Sequence, residues 1–190
     1  EFSNKYNSIG AVYIIRDPRN VITSISNHFE MNKEKALDFM QNEKKFTYDY
    51  FKKNDFSDFQ FISSWEKNYK SWINNKDFPI KLIRYEDLIT QTFYVAKDLI
   101  NFIDKTCKID LNFDKLKLQN AIKTTSFEKL KKIEKNYGFS ESVKSKNQDN
   151  KKVPFFHLGP SNDWQKILDT NFAHKLNEIF KESLQELQYH

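Results

Sequence analysis

The side chains best suited to chemistry gather in one short stretch, from Arg16 through Asp17, Pro18 and Arg19 to Ser24. Only three of the 31 basic residues are arginines, Arg16, Arg19 and Arg84, and two of them are here. A guanidinium presents a planar fork of donors that matches two phosphate oxygens at once, whereas a lysine ammonium is a point charge. If residues 18–24 are helical, Ser24 lies about two turns in and its hydroxyl can reach the same anion as Arg16. The competing arrangement pairs Arg16 with Asp17 or Glu86 and leaves Ser24 an ordinary helix residue.

The surrounding pattern supplies the elements that must position these groups. Residues 10–16, Gly-Ala-Val-Tyr-Ile-Ile-Arg, form a β-branched run of the kind buried on both faces of a parallel sheet. Asp17 then reads as an N-cap with Pro18 at the first helical position. Val21, Ile22, Ile25 and Phe29 mark the inward face of that helix. Its free N–H groups and positive dipole end are expected to favour an anion. Further on, the spacing predicts a mostly helical stretch over 33–53 and a helix over 59–75. A strand, Ile80–Tyr85, follows Pro79, and then a helix over 91–104. Helices over 113–123 and 127–136 come next, the second capped by Ser126, and one long helix covers 170–188. Residues 138–153 are polar and read as an exposed loop. Strand, helices, strand, helix favours an α/β fold with a parallel sheet. Two strands are few for such a sheet, which predicts that part of the domain is missing.

Composition narrows the function classes. The 190 residues suit a single domain. Hydrophobic residues at 38% and aromatics at 16% argue against disorder despite 30% charged residues. Three glycines are too few for a Walker loop or a dinucleotide fingerprint. The single cysteine, Cys107, excludes a disulfide framework and a cysteine-based zinc site. No His/Asp/Glu spacing suggests a metal. The net charge is +5, but the lysines are interleaved with acidic residues as on solvated faces, so no nucleic-acid partner is expected. No apolar run approaches the ~18 residues of a membrane span, so no membrane partner is expected either. His28, one turn beyond Ser24, reads as a packing or solvated residue, and Trp65, Trp72 and Trp164 as core.

Four segments together resemble a known family. Tyr13-Ile14-Ile15-Arg16-Asp17-Pro18-Arg19-Asn20-Val21-Ile22-Thr23-Ser24 resembles the 3′-phosphate-binding segment of the cytosolic-type sulfotransferases. Arg84-Tyr85-Glu86-Asp87-Leu88 is similar to that family's Tyr-Glu-Asp-Leu strand end. Thr125-Ser126-Phe127 is similar to its Thr-Ser-Phe, and Gly159 with Asp163-Trp164 to its Arg-Lys-Gly and Gly-Asp-Trp stretch. The resemblance implies an α/β fold with P-loop-like topology and 3′-phosphoadenylyl sulfate as sulfonate donor, 3′,5′-ADP being the product. It implies no metal, a small-molecule or glycan acceptor and a cytoplasmic setting, and leaves the oligomeric state open. Arg16 and Ser24 would hold the 3′-phosphate, Tyr85 would contact the nucleoside, and Thr125, Ser126 and Phe127 would line the adenine. His157, Leu158 and Gly159 would close over the phosphate.

Two departures qualify the resemblance. His157-Leu158 stands where the family has Arg-Lys, which predicts weaker donor affinity unless Lys151 and Lys152 compensate. The family's first strand, its 5′-phosphosulfate-binding loop and the segment with its catalytic histidine have no counterpart before Tyr13. The chain is therefore expected to be a partial domain over 1–190, the C-terminal two-thirds, with its base upstream and no transfer activity of its own. The alternative is a non-catalytic nucleotide-binding or interaction module derived from this fold.

Overall fold

The computed structural model describes residues 4–48 and 59–190. The chain enters β1 (Ala11–Ile15), whose β-branched residues suit a pleated ladder. Helix α1 (Pro18–His28) follows two residues later. Asp17 caps it by accepting from the Arg19 N–H, and Pro18 stands in its first turn. Next come α2 (Lys33–Gln41), the short strands β2 (Phe46–Thr47) and β3 (Gln60–Phe61), and α3 (Trp65–Ile73). Strand β4 (Ile80–Arg84) leads directly into α4 (Tyr85–Thr90) and α5 (Thr92–Cys107). The remaining helices are α6 (Lys115–Thr124), α7 (Phe127–Tyr137), α8 (Trp164–Ile167), α9 (Thr170–Ile179) and α10 (Lys181–Glu186).

Strands β1 and β4 pair in parallel, Ala11 opposite Ile80 through Ile15 opposite Arg84. Helices α3 and α5 pack against β4. Tyr13 stacks on Trp72 of α3 and donates its hydroxyl to Asn68 at 2.7 Å; burial pushes the Tyr13 phenol up to about 12. Lys81 pairs with Asp98 of α5. The α/β arrangement is thus present, and the expectation of a missing N-terminal strand is corrected: β1 is in place and hydrogen-bonded to β4. Its burial is more one-sided than the sequence suggests. Ile15 is 2% exposed, but Val12 and Ile14 are 42% and 54% exposed, so β1 is not covered on both faces.

The core lies where α1, α2, α3, α9 and α10 converge, around Ile15, Ile22, Leu37, Met40, Tyr69, Leu176 and Phe180. Each such side chain contributes roughly 1.5–3 kcal/mol on burial.

Several element boundaries differ from expectation. The predicted helix over 59–75 starts only at Trp65. Ser64 caps it there, and Phe61, in β3, is 60% exposed. The stretch 33–53 is helical only to Gln41 among its described residues; 49–53 lie outside them. The single helix over 170–188 breaks at Phe180, which ends α9 and opens α10. Ser126 sits at the α7 N-cap, but its side chain makes no cap hydrogen bond. Residues 138–153 contain neither helix nor strand, only the antiparallel bridge Lys144–Lys152.

Candidate functional site

Arg16 leaves the C-terminal end of β1 and turns its guanidinium onto the face of Tyr85, 4.2 Å from the ring centroid. Its Nη2 donates to the carbonyl of Gly159 at 3.1 Å and to that of Asn162 at 3.4 Å. Its Nε is buried and has no hydrogen-bond partner. Burial lowers its pKa, against the opposing fields of Tyr85, Glu86 and Asp17, yet an arginine stays charged at any ordinary pH. The alternative pairing with Asp17 or Glu86 is absent because both carboxylates are engaged elsewhere. Asp17 binds Arg19 through Nε and Nη2, with a shortest distance of 2.7 Å, and both side chains are buried. Glu86 accepts from the Asp17 N–H at 3.2 Å and from the Tyr189 hydroxyl at 3.0 Å.

Ser24 faces the same place from α1. Its Oγ accepts from Asn162 Nδ2 at 3.0 Å and donates to the Asn20 carbonyl at 3.3 Å. The helix N-terminus, by contrast, is not open to an anion. The Arg19 N–H is held by the Asp17 side chain, and the Asn20 and Val21 N–H groups are held by the Asp17 carbonyl. Pro18 has no N–H to offer. The expected helix-end anion site is therefore corrected: its donors are spent on their own cap, and what remains is a side-chain site.

The third wall comes from α7 and the segment before α8. Gly159 adopts a left-handed φ of +53° and packs against Phe127 so closely that a Cβ there would stand 2.2 Å from the ring. Phe127 also meets Phe156 edge-on, with centroids 6.0 Å apart. Glu134 fastens this segment to α7, accepting from the Phe155 N–H at 2.7 Å, the Phe156 N–H at 2.9 Å and the Ser142 hydroxyl at 2.6 Å. Burial alone would raise its pKa, but these bonds outweigh that and hold the carboxyl below the usual range. Thr125 donates to Ala121 at the end of α6, and Thr125 and Ser126 are exposed. His157 is also exposed, and its carbonyl accepts from Lys131 Nζ at 2.9 Å.

The fold that positions these residues has known counterparts. The model of the family described as Sulfotransferase domain matches residues 3–188. The chain belongs to the sulfotransferase family. Among solved structures it is similar to that titled "Crystal structure of mouse sulfotransferase SULT7A1 complexed with PAP", at 19% identity and a TM-score of 0.56. The likeness covers 91% of this chain and 58% of that one, and at this identity it shows the shared fold. The family match over residues 3–188 corrects the expectation that the chain resembles only the family's C-terminal two-thirds.

In this member of the family the structure brings Arg16, Ser24, Tyr85, Phe127 and Gly159 to one place, linked directly or through Asn162. Leu158 adjoins it half-buried, while Thr125, Ser126 and the His157 side chain lie on its exposed rim. One participant escaped the sequence reading. Asn162 stands just before Asp163-Trp164, where the resembling stretch has glycine, and that polar replacement was the available signal. Lys131, with Lys129 and Lys132, reads from sequence as a solvated face or, more weakly, a basic rim that attracts an anionic donor; its ammonium reaches the His157 carbonyl. Lys151 and Lys152, nearer in sequence, are exposed, and the Lys152 backbone forms an antiparallel bridge with that of Lys144. Among the described residues no group of His, Cys, Asp and Glu could hold a metal ion, and no helix is long and apolar enough to cross a membrane.

Proposed function

We propose that this sulfotransferase binds 3′-phosphoadenylyl sulfate and moves its sulfonate group to a hydroxyl or amine of a small-molecule or glycan acceptor. The chain acts as a single domain, in the cytoplasm. Arg16 and Ser24 hold the donor's 3′-phosphate, and Tyr85 lies by the nucleoside. Thr125, Ser126 and Phe127 line the adenine, with His157, Leu158 and Gly159 closing the far side. The donor brings an already activated sulfonate; these residues bind and orient it.

One observation carries this reading. A guanidinium with a buried, unpartnered Nε is framed by an aromatic face, a serine hydroxyl and a glycine turn drawn from three separate segments. A buried donor without a partner is costly, and an anionic oxygen relieves that cost. The flat ring of Phe127 beside it offers an apolar surface to a base.

Calorimetric titration tests the reading. The purified chain should bind 3′,5′-ADP at least about tenfold more tightly than 5′-AMP. Arg16→Ala should remove that preference, since charge-assisted hydrogen bonds are worth roughly 1.5–3 kcal/mol, or about 10–150-fold. Equal affinity of the parent chain for the two nucleotides would overturn it. His157-Leu158, in place of two cations, favours a second reading, a nucleotide-binding module without chemistry. Acceptor-dependent release of 3′,5′-ADP from the sulfated donor separates the two.

A further inference from the structure

Asn162 is 5% exposed, and both polar atoms of its side chain are used inside the site. Nδ2 donates to Ser24 Oγ at 3.0 Å and to the Asn20 carbonyl at 2.9 Å. Oδ1 accepts from Thr23 Oγ1 at 2.6 Å. Its backbone carbonyl accepts from Arg16 Nη2 at 3.4 Å. One residue thus touches both side chains read above as 3′-phosphate ligands. We propose that Asn162 is a positioning residue that aims the Ser24 hydroxyl proton, so that this sulfotransferase selects nucleotides carrying a 3′-phosphate.

The argument turns on a single proton. A serine hydroxyl has one O–H to give and lone pairs to receive. Because Ser24 Oγ receives the Asn162 amide N–H, its own proton must point elsewhere. The amide cannot present the opposite polarity: the Asn20 carbonyl beside Nδ2 only accepts, so a flipped amide would set oxygen against oxygen. The proton rests on that same Asn20 carbonyl at a long 3.3 Å, to which Asn162 Nδ2 already donates at 2.9 Å. An anionic oxygen is a far better acceptor, since a charge-assisted bond is about twice as strong as a neutral one. The network therefore holds Ser24 as a donor that gives up a poor partner for a phosphate.

Asn162→Asp keeps the shape and inverts the logic. A carboxylate oxygen would capture the Ser24 proton and set a negative charge beside the incoming one. Asn162→Ala instead frees the hydroxyl to rotate.

The inference rests on the 3′-phosphate reading, and one series of titrations separates the two. In the parent, 3′,5′-ADP and 5′-AMP are compared, and then in Ser24→Ala, Asn162→Ala, the double variant and Asn162→Asp. Asn162→Ala and Ser24→Ala are each expected to weaken 3′,5′-ADP about tenfold and to change 5′-AMP by less than about twofold. The double variant should be no weaker than the worse single, because both remove the same bond. Asn162→Asp should weaken 3′,5′-ADP by about a hundredfold. A parent that binds both nucleotides alike overturns the functional reading and this inference together. A discriminating parent whose Asn162 variants discriminate equally well, or lose both nucleotides in step, overturns this inference alone. So does additive loss in the double variant. Failure of both Asn162 variants to fold would assign the residue to the fold and also overturn it.

Discussion

Arg16 and Arg19 stand three positions apart in one motif and do different work. Arg16 keeps an unpartnered Nε in the pocket. Arg19 is fully committed to Asp17, to Asn177 at 3.0 Å, to the His190 carbonyl at 3.0 Å and to the face of Trp164 at 4.2 Å. Removing one partner of a buried ion pair costs about 3–5 kcal/mol. Arg19→Ala should therefore lower Tm by roughly 6–20 °C, at about 2–4 °C per kcal/mol for a chain of this size. Arg16→Ala should lower it far less while abolishing the preference for 3′,5′-ADP. Thermal unfolding of the two variants beside the titrations checks this; a larger Tm loss in Arg16→Ala would refute the division. The motif pointed to Arg16, with Ser24, as the phosphate ligand and assigned Arg19 no role. It could not show how Arg19 is held, because its partners Trp164, Asn177 and His190 lie some 145 or more residues away.

At the level of elements, the wall formed by α7 and residues 153–161 depends on two fastenings. Gly159 is one. Its φ of +53° and the 2.2 Å approach of Phe127 to a built Cβ leave no room for alanine. Overpacking together with a left-handed non-glycine residue costs about 2–4 kcal/mol. Gly159→Ala should show that loss in a denaturant titration, and adding Phe127→Ala should recover part of it; no recovery would place the strain elsewhere. Glu134 is the other fastening. Its carboxyl is depressed in the fold, so its contribution is complete above the ordinary glutamate pKa and is lost as pH falls through the lower folded value. Hydrogen exchange at Phe155 and Phe156 should accelerate as pH drops below about 4, relative to intrinsic rates. Glu134→Gln should remove that acid-dependent step, and an unchanged step in the variant would count against the clamp. The strand-to-helix joint at Arg16-Asp17-Pro18 was legible, since N-cap chemistry is local. The break at Phe180 was not, because the apolar spacing runs on through it.

Over the whole molecule, the end of the chain is part of the strand ends that carry the site. Tyr189 is 7% exposed, donates to Glu86 and lies under the Arg84 guanidinium at 4.5 Å, while Arg19 holds the His190 carbonyl. Burial and the Glu86 carboxylate both push the Tyr189 phenol well above its ordinary value, so it remains a donor at neutral pH. Truncation after Gln188 should destabilise the protein by about 3 kcal/mol or more, the scale of losing a buried aromatic. A truncated chain of unchanged Tm would contradict this role. Parallel pairing of β1 with β4 could be read from the alternation of strand and helix, since crossover connections leave little choice. Their unequal burial could not, because it depends on which helices cover each face. The central claim, that Arg16 and Ser24 grip a 3′-phosphate beside Phe127, is tested most directly by a crystal structure of the chain with 3′,5′-ADP. The account predicts density for the 3′-phosphate within hydrogen-bond reach of Arg16 Nε and Ser24 Oγ, and the adenine against the Phe127 ring. Nucleotide seated elsewhere, or held with its 3′-phosphate in solvent, would contradict it.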